Sequence, residues 1–138
     1  MIIFGKISEI LNNFWSSLAM SLRGVLSWAF IRIYLIIGLI LNLFTWLGAV
    51  YIYKNIAQDL TVLHYNIDFG IDLIGNRSLI FANPILGLFF LFINFILLLF
   101  FYRHKHLNFL AHLLLGIATL ANLILIVAVI TVYIINFS

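Results

Sequence analysis

At 138 residues, two thirds apolar or aromatic and only 8% charged, the chain excludes a water-soluble domain, which would carry about a quarter charged residues. Its net charge of +3 comes from seven basic and four acidic residues, too thinly spread for the basic stripe of a nucleic-acid-binding protein. The absence of cysteine excludes disulfides, thiolate metal sites and cysteine nucleophiles.

Residues 3–29 read as an amphipathic helix. Ile3, Ile7, Ile10, Leu11, Phe14, Leu18, Leu22 and Val25 recur at helical spacing, with Lys6, Glu9, Asn13, Ser16, Ser17 and Arg23 largely between them. Such a helix rests in the membrane interface, anchored by Trp15 and Trp28. Lys6 followed by Glu9, with no short apolar core before a small-residue cleavage motif, speaks against a cleavable leader.

Three runs follow that each offer the roughly 20 apolar residues needed to cross a bilayer. Residues 33–53 are uncharged between Arg32 and Lys54. Residues 83–102 open with the only proline, Pro84, which a helix tolerates in its first turn. Residues 108–135 contain no Lys, Arg, Asp or Glu. Backbone groups cannot go unpaired in lipid, so all three runs must be helices. The expected fold is an all-α integral membrane protein of one domain, residues 1–138, with an outer loop at 54–82 and an inner loop at 103–107.

Orientation follows from the basic residues. Lys6, Arg23, Arg32, Arg103 and Lys105 fall on one side, and Lys54 and Arg77 on the other. Five against two places the N-terminus in the cytoplasm and the C-terminus outside a plasma membrane. Trp28, Tyr34 and Tyr102 suit the inner boundary; Trp46, Tyr51, Tyr53 and Tyr133 suit the outer one.

The outer loop holds an unbroken alternation from His64 to Leu73. Tyr65, Ile67, Phe69, Ile71 and Leu73 form one set; His64, Asn66, Asp68, Gly70 and Asp72 form the other. Period two predicts one extended segment with an apolar face and a polar face. The polar set is the candidate partner-binding surface, and Gly70 should admit a bend or a close approach. Residues two apart on a strand lie about 6.6 Å from each other. That spacing and the lack of a second histidine weigh against a metal site.

His64-Tyr65-Asn66, then Gly70 and Asp72, then Pro84 opening an apolar helix, resembles a domain of unknown function. That domain occurs near the N-terminus of Sdp-type immunity and signal-transduction membrane proteins. The likeness spans about residues 33–101, without the proline that usually precedes the His-aromatic-Asn run. The block Phe69 to Gly75, with Asn94, is similar to small uncharacterised membrane proteins of reduced-genome bacteria. The first resemblance implies a bacterial plasma-membrane module tied to immunity or sensing.

No charged residue lies deep in a span, which weighs against pumps and ion-coupled transport. His112, beside Arg103 and Lys105, reads as an interfacial histidine rather than a proton relay. Each span carries one asparagine in a stripe of small or polar residues: Gly38, Asn42 and Thr45; Gly87 and Asn94; Gly116, Thr119 and Asn122. Small residues let helices approach, and amides bond across the gap, so these are candidate helix–helix contacts. No catalytic constellation, cofactor motif or phosphate loop is present. The expected function is a non-enzymatic module that binds a membrane or extracytoplasmic protein. The alternative is a subunit of a small homo-oligomeric transporter or channel. Lipid is the solvent in either case.

Overall fold

A computed structural model describes residues 2–56, 60–66 and 70–137; side chains at 2–5, 60, 64–66 and 70–73 are outside that description. The chain forms α1 (Ile2–Ser27), α2 (Ala29–Asn55), β1 (Leu60–Asn66) and β2 (Gly70–Asn76). A 3₁₀ turn (Arg77–Phe81) then leads into α3 (Ala82–Phe100), and α4 (Leu107–Phe137) follows. Three helical stretches are long and apolar enough to cross a bilayer: Ala29–Asn55, Arg77–Phe100 and Leu107–Phe137. By fold this is an all-α, multi-pass membrane protein.

One narrow seam per helix forms the core. The buried residues are Ile31, Gly38, Asn42, Thr45, Ala49 and Ile52 on α2, and Pro84, Gly87, Leu91, Asn94 and Leu98 on α3. On α4 they are Ala111, Leu115, Ala118, Asn122, Val129 and Val132. Steps of three and four residues keep each seam facing its neighbours, the spacing of gently crossed helices. The other faces stay apolar and exposed, for example Phe44, Phe92 and Ile124. Water would not tolerate that surface; lipid does.

Matching levels give the helix directions. Gly38 lies against Leu91, and Gly87 lies against Asn42, so α2 and α3 are antiparallel. Gly48 lies against Val129, while Asn42 reaches Asn122, so α4 runs parallel to α2. Two apolar clusters close the ends. Ala49, Ile52, Ile56, Ile80, Val129 and Val132 pack at the hairpin end. Val25, Ile31, Leu98, Ala111 and Leu115 pack at the other.

α1 belongs to that second end. Trp28, extended at φ −80° and ψ 118°, breaks it from α2. Phe14, Ser17, Leu18 and Ser21 line a groove with Leu99, Phe100, Tyr102 and Arg103. Phe14 to Ser21 span about 10 Å of helix, at about 1.5 Å per residue, yet the bundle residues in their groove come only from the last turn of α3 and the residues just after it, while Val25 packs on Ile31, Leu98, Ala111 and Leu115. α1 therefore crosses the end of the bundle rather than lying along it. Its Ile10, Leu11, Phe14 and Trp15 remain exposed.

The outer loop departs from the expected single extended segment. It is an antiparallel hairpin in which Asn66 pairs with Gly70 and Leu60 with Asn76. Register shifts between Val62 and His64 and between His64 and Tyr65 mark a bulge. The alternation survives because Asn66 and Gly70 are four residues apart. An even number preserves parity across the turn, so the alternation of His64–Asn66 continues into Gly70–Leu73 and hides the boundary, although the bulge sets His64 opposite Leu73.

Candidate functional site

Two polar constructions stand out, one inside the bundle and one at its hairpin end. Inside, Asn42 and Asn122 are buried, 2% and 0% exposed. Asn42 Nδ2 donates to the Pro84 carbonyl at 2.9 Å and to Asn122 Oδ1 at 3.2 Å. Asn122 Nδ2 donates to the Gly87 carbonyl at 3.2 Å and to Ala118 O at 2.9 Å. Two side chains thus tie all three spans together. Gly87 makes this possible, because a Cβ there would collide with Asn42 Nδ2 and Asn122 Oδ1. Inter-helix bonds of this kind contribute about 0.6 to 2 kcal/mol each in lipid.

The other stripe residues act locally. Asn94, though buried, donates to Phe90 O at 2.8 Å within its own helix. Thr45 and Thr119 donate to Leu41 O at 3.0 Å and Leu115 O at 2.8 Å, again within their helices. Gly38 admits Leu91. Gly116 departs from the expected contact role: a Cβ there would meet nothing within 4 Å. Helical spacing places a residue on a face, but the neighbour at that level decides whether the face touches anything.

At the hairpin end, one side chain holds the sheet to the bundle. Asn136, in the last turn of α4, accepts from Val62 N–H at 3.1 Å and donates to Val62 O at 2.8 Å. Its amide does for β1 what one residue of a third strand would do, presenting a donor and an acceptor to the strand edge. Nδ2 also donates to Val132 O at 2.8 Å, which fixes the rotamer. On the far side of the hairpin, Asn76 Oδ1 accepts from Ser78 N–H at 2.9 Å and starts the 3₁₀ turn. Arg77 then reaches back to α2. Its guanidinium lies 4.8 Å from the Tyr53 ring centroid and donates to Ile56 O at 3.3 Å. Gly75 leaves room for Leu63 and Leu79. Thr61 is 1% exposed, and its hydroxyl has no hydrogen-bond partner among the described residues.

The polar set of the loop falls on both strands. His64 and Asn66 lie on β1, Gly70 and Asp72 on β2, and Asp68 lies outside the described residues. Pairing of Asn66 with Gly70 brings the two halves of the set together at the hairpin tip. At the opposite end, His112 stacks on Phe30 with centroids 4.5 Å apart and has Nδ1 3.4 Å from Tyr34 Oη.

Sequence reasoning missed Asn136 and the Gly24–Tyr102 contact. A signal for Asn136 existed: it lies two heptads after Asn122 and so shares its face, to within about 40°. Gly24 carries a weaker one, as one of two glycines in a helix otherwise rich in larger residues. A Cβ there would overlap the Tyr102 ring.

No family model, curated protein or solved structure matches the chain. The functional reading therefore rests on its own residues.

Proposed function

We propose that the protein is a non-enzymatic membrane module whose three-helix stem presents a β-hairpin to a protein partner outside the membrane. The observation that carries this reading is the Asn136 amide holding both backbone groups of Val62. A loop that only connects two spans needs no such clamp. The buried amides support it too. Asn42 and Asn122 are committed to bonds between the spans, and Thr45, Asn94 and Thr119 to bonds within them. That leaves little to line a polar path, which favours a binding module over a channel subunit.

The same reading puts the stem in a bacterial plasma membrane, N-terminus cytoplasmic and C-terminus outside, in an immunity- or sensing-related role. The five-to-two distribution of basic residues supports the orientation, and the resemblance around His64 and Pro84 supports the role. A cytoplasm-specific reporter should work when fused after Arg103 and fail after Asp68; the reverse pattern refutes the orientation. Partner capture is tested by crosslinking in native membranes. The double variant Asn66→Ala/Asp72→Ala should reach wild-type abundance and lose the wild-type crosslinks. Unchanged crosslinks at equal abundance would reduce the hairpin to a connector. Solute flux through liposomes holding the purified protein would favour the channel reading instead.

A further inference from the structure

The end of the bundle opposite the hairpin carries charge that its own residues leave unneutralised. Lys6, Arg23, Arg32, Arg103 and Lys105 belong to this end, and Glu9 is the only carboxylate among the described side chains. Arg103 Nη2 sits 4.0 Å from Met20 Sδ. Eleven residues of α1, about 16 Å of helix, separate that contact from Glu9.

Two of these cations, Arg103 and Lys105, line a defined cleft. Trp28, Tyr102, Arg103, Lys105 and Asn108 line an open volume of about 520 Å³ where α3 gives way to α4. Packing of the Tyr102 ring on Gly24 holds the α1 side of the cleft in place. Its lining is rich in hydrogen-bond donors: a guanidinium, an ammonium, an indole N–H, a phenol and an amide. His104 joins them, because its Nδ1 accepts from the His106 backbone N–H at 3.2 Å and a neutral ring then carries its proton on Nε2. Such a lining selects an anion rich in acceptor oxygens, and Arg matches phosphate geometry well.

The cleft also has an apolar side. Leu107 lines it, and Phe100 and Phe109 on the adjoining helix ends are 76% and 67% exposed. A free anion would leave that surface uncovered, whereas an amphiphile with an anionic head covers both. We propose that the cleft binds an anionic phospholipid from the leaflet that α1 occupies. Arg103 and Lys105 pair with the phosphate diester, and the acyl chains descend along Phe100 and Phe109. Lipid bound there also fills the angle between α1 and the bundle, holding α1 across the bundle end. None of this depends on what the hairpin recognises.

The test uses the purified full-length protein in neutral detergent. Thermal unfolding is followed during titration with phosphatidylglycerol, phosphatidylcholine or inorganic phosphate. Phosphatidylglycerol should raise the melting temperature saturably, and the other two should not. Arg103→Gln/Lys105→Gln should need about twenty-five-fold more phosphatidylglycerol for half the effect, at about fivefold per cation. Lys6→Gln/Lys54→Gln removes as much charge from outside the cleft lining and should titrate like wild type. Equal titration of the wild type and the Arg103/Lys105 variant would overturn the site. An equal response to phosphatidylcholine would overturn the selectivity, and an equal response to phosphate would make the ligand a free anion. A photoactivatable phosphatidylglycerol gives a reading on the wild-type chain alone. Its label should concentrate between Phe100 and Phe109, and even labelling of all three spans would overturn the proposal.

Discussion

The two ends of the bundle hold their appendages by different means. The hairpin is fastened through backbone groups: Asn136 takes both polar atoms of Val62, and Arg77 ties the exit of the hairpin to Ile56 O and the Tyr53 ring. α1 is fastened by shape, through Gly24 on Tyr102 and Val25 in the apolar cluster, while its neighbouring cations stay without carboxylate partners among the described residues. Directional bonds fix an angle and a register; a packing contact fixes a distance and leaves more freedom of tilt. One end is built to hold a sheet in place, and the other to meet a surface that supplies its own countercharge.

The largest effect should come from the point on which both ends depend. Gly87→Leu drives a side chain into Asn42 and Asn122 and separates the three spans at mid-depth. It should cost about 3 kcal/mol, measured by denaturant unfolding in detergent. Limited proteolysis should then open the hairpin and the α1 junction together. Opening at only one end would mean that the ends do not share this centre.

Asn136→Leu should separate them. It leaves Val62 N–H and C=O without their partner and should cost about 2 kcal/mol. Protease cutting between residues 60 and 76 should rise while the α1 junction stays protected. Equal cutting at both places would refute the division between a fastened end and a packed one.

Replacement of the asparagines tests the centre more finely. Asn122→Leu removes bonds to two other helices and should lose about 1.5 kcal/mol, whereas Asn94→Leu should change stability by less than about 0.5 kcal/mol. Equal losses in a thermal unfolding assay would show that burial rather than bonding sets the cost.

The smallest effect has the opposite sign. Thr61→Val keeps the shape and removes a buried hydroxyl that has no partner among the described residues. It should stabilise the protein by about 1 kcal/mol and slow proteolysis of the hairpin. A loss of stability would place a bound water on the hydroxyl.

The spans were legible because lipid imposes one rule over 20 residues at a time, and no local detail can override it. The asparagine stripes were legible as faces but not as bonds. Asn42 and Asn94 look alike in sequence, yet only Asn42 stands level with a glycine and another amide. The hairpin was hidden by parity, since strand pairing from Asn66 to Gly70 leaves the alternation unbroken. The Asn136 clamp left little trace because its partner is a peptide group, and any residue but proline at position 62 supplies one.

The clamp also sets an order of assembly. Val62 and Asn136 are 74 residues apart in the chain. A ribosome adding about 5 to 20 residues per second needs about 4 to 15 seconds to travel between them. From the addition of Asn76 to the end of that interval, the hairpin has been synthesised and the side chain that closes its edge has not. β1 can fold against β2 early, but its outer edge stays open to the strands of other nascent chains until α4 is in the membrane. α4 therefore acts as the latch of a hairpin made before it, and whatever slows its entry lengthens the time in which two copies can pair wrongly.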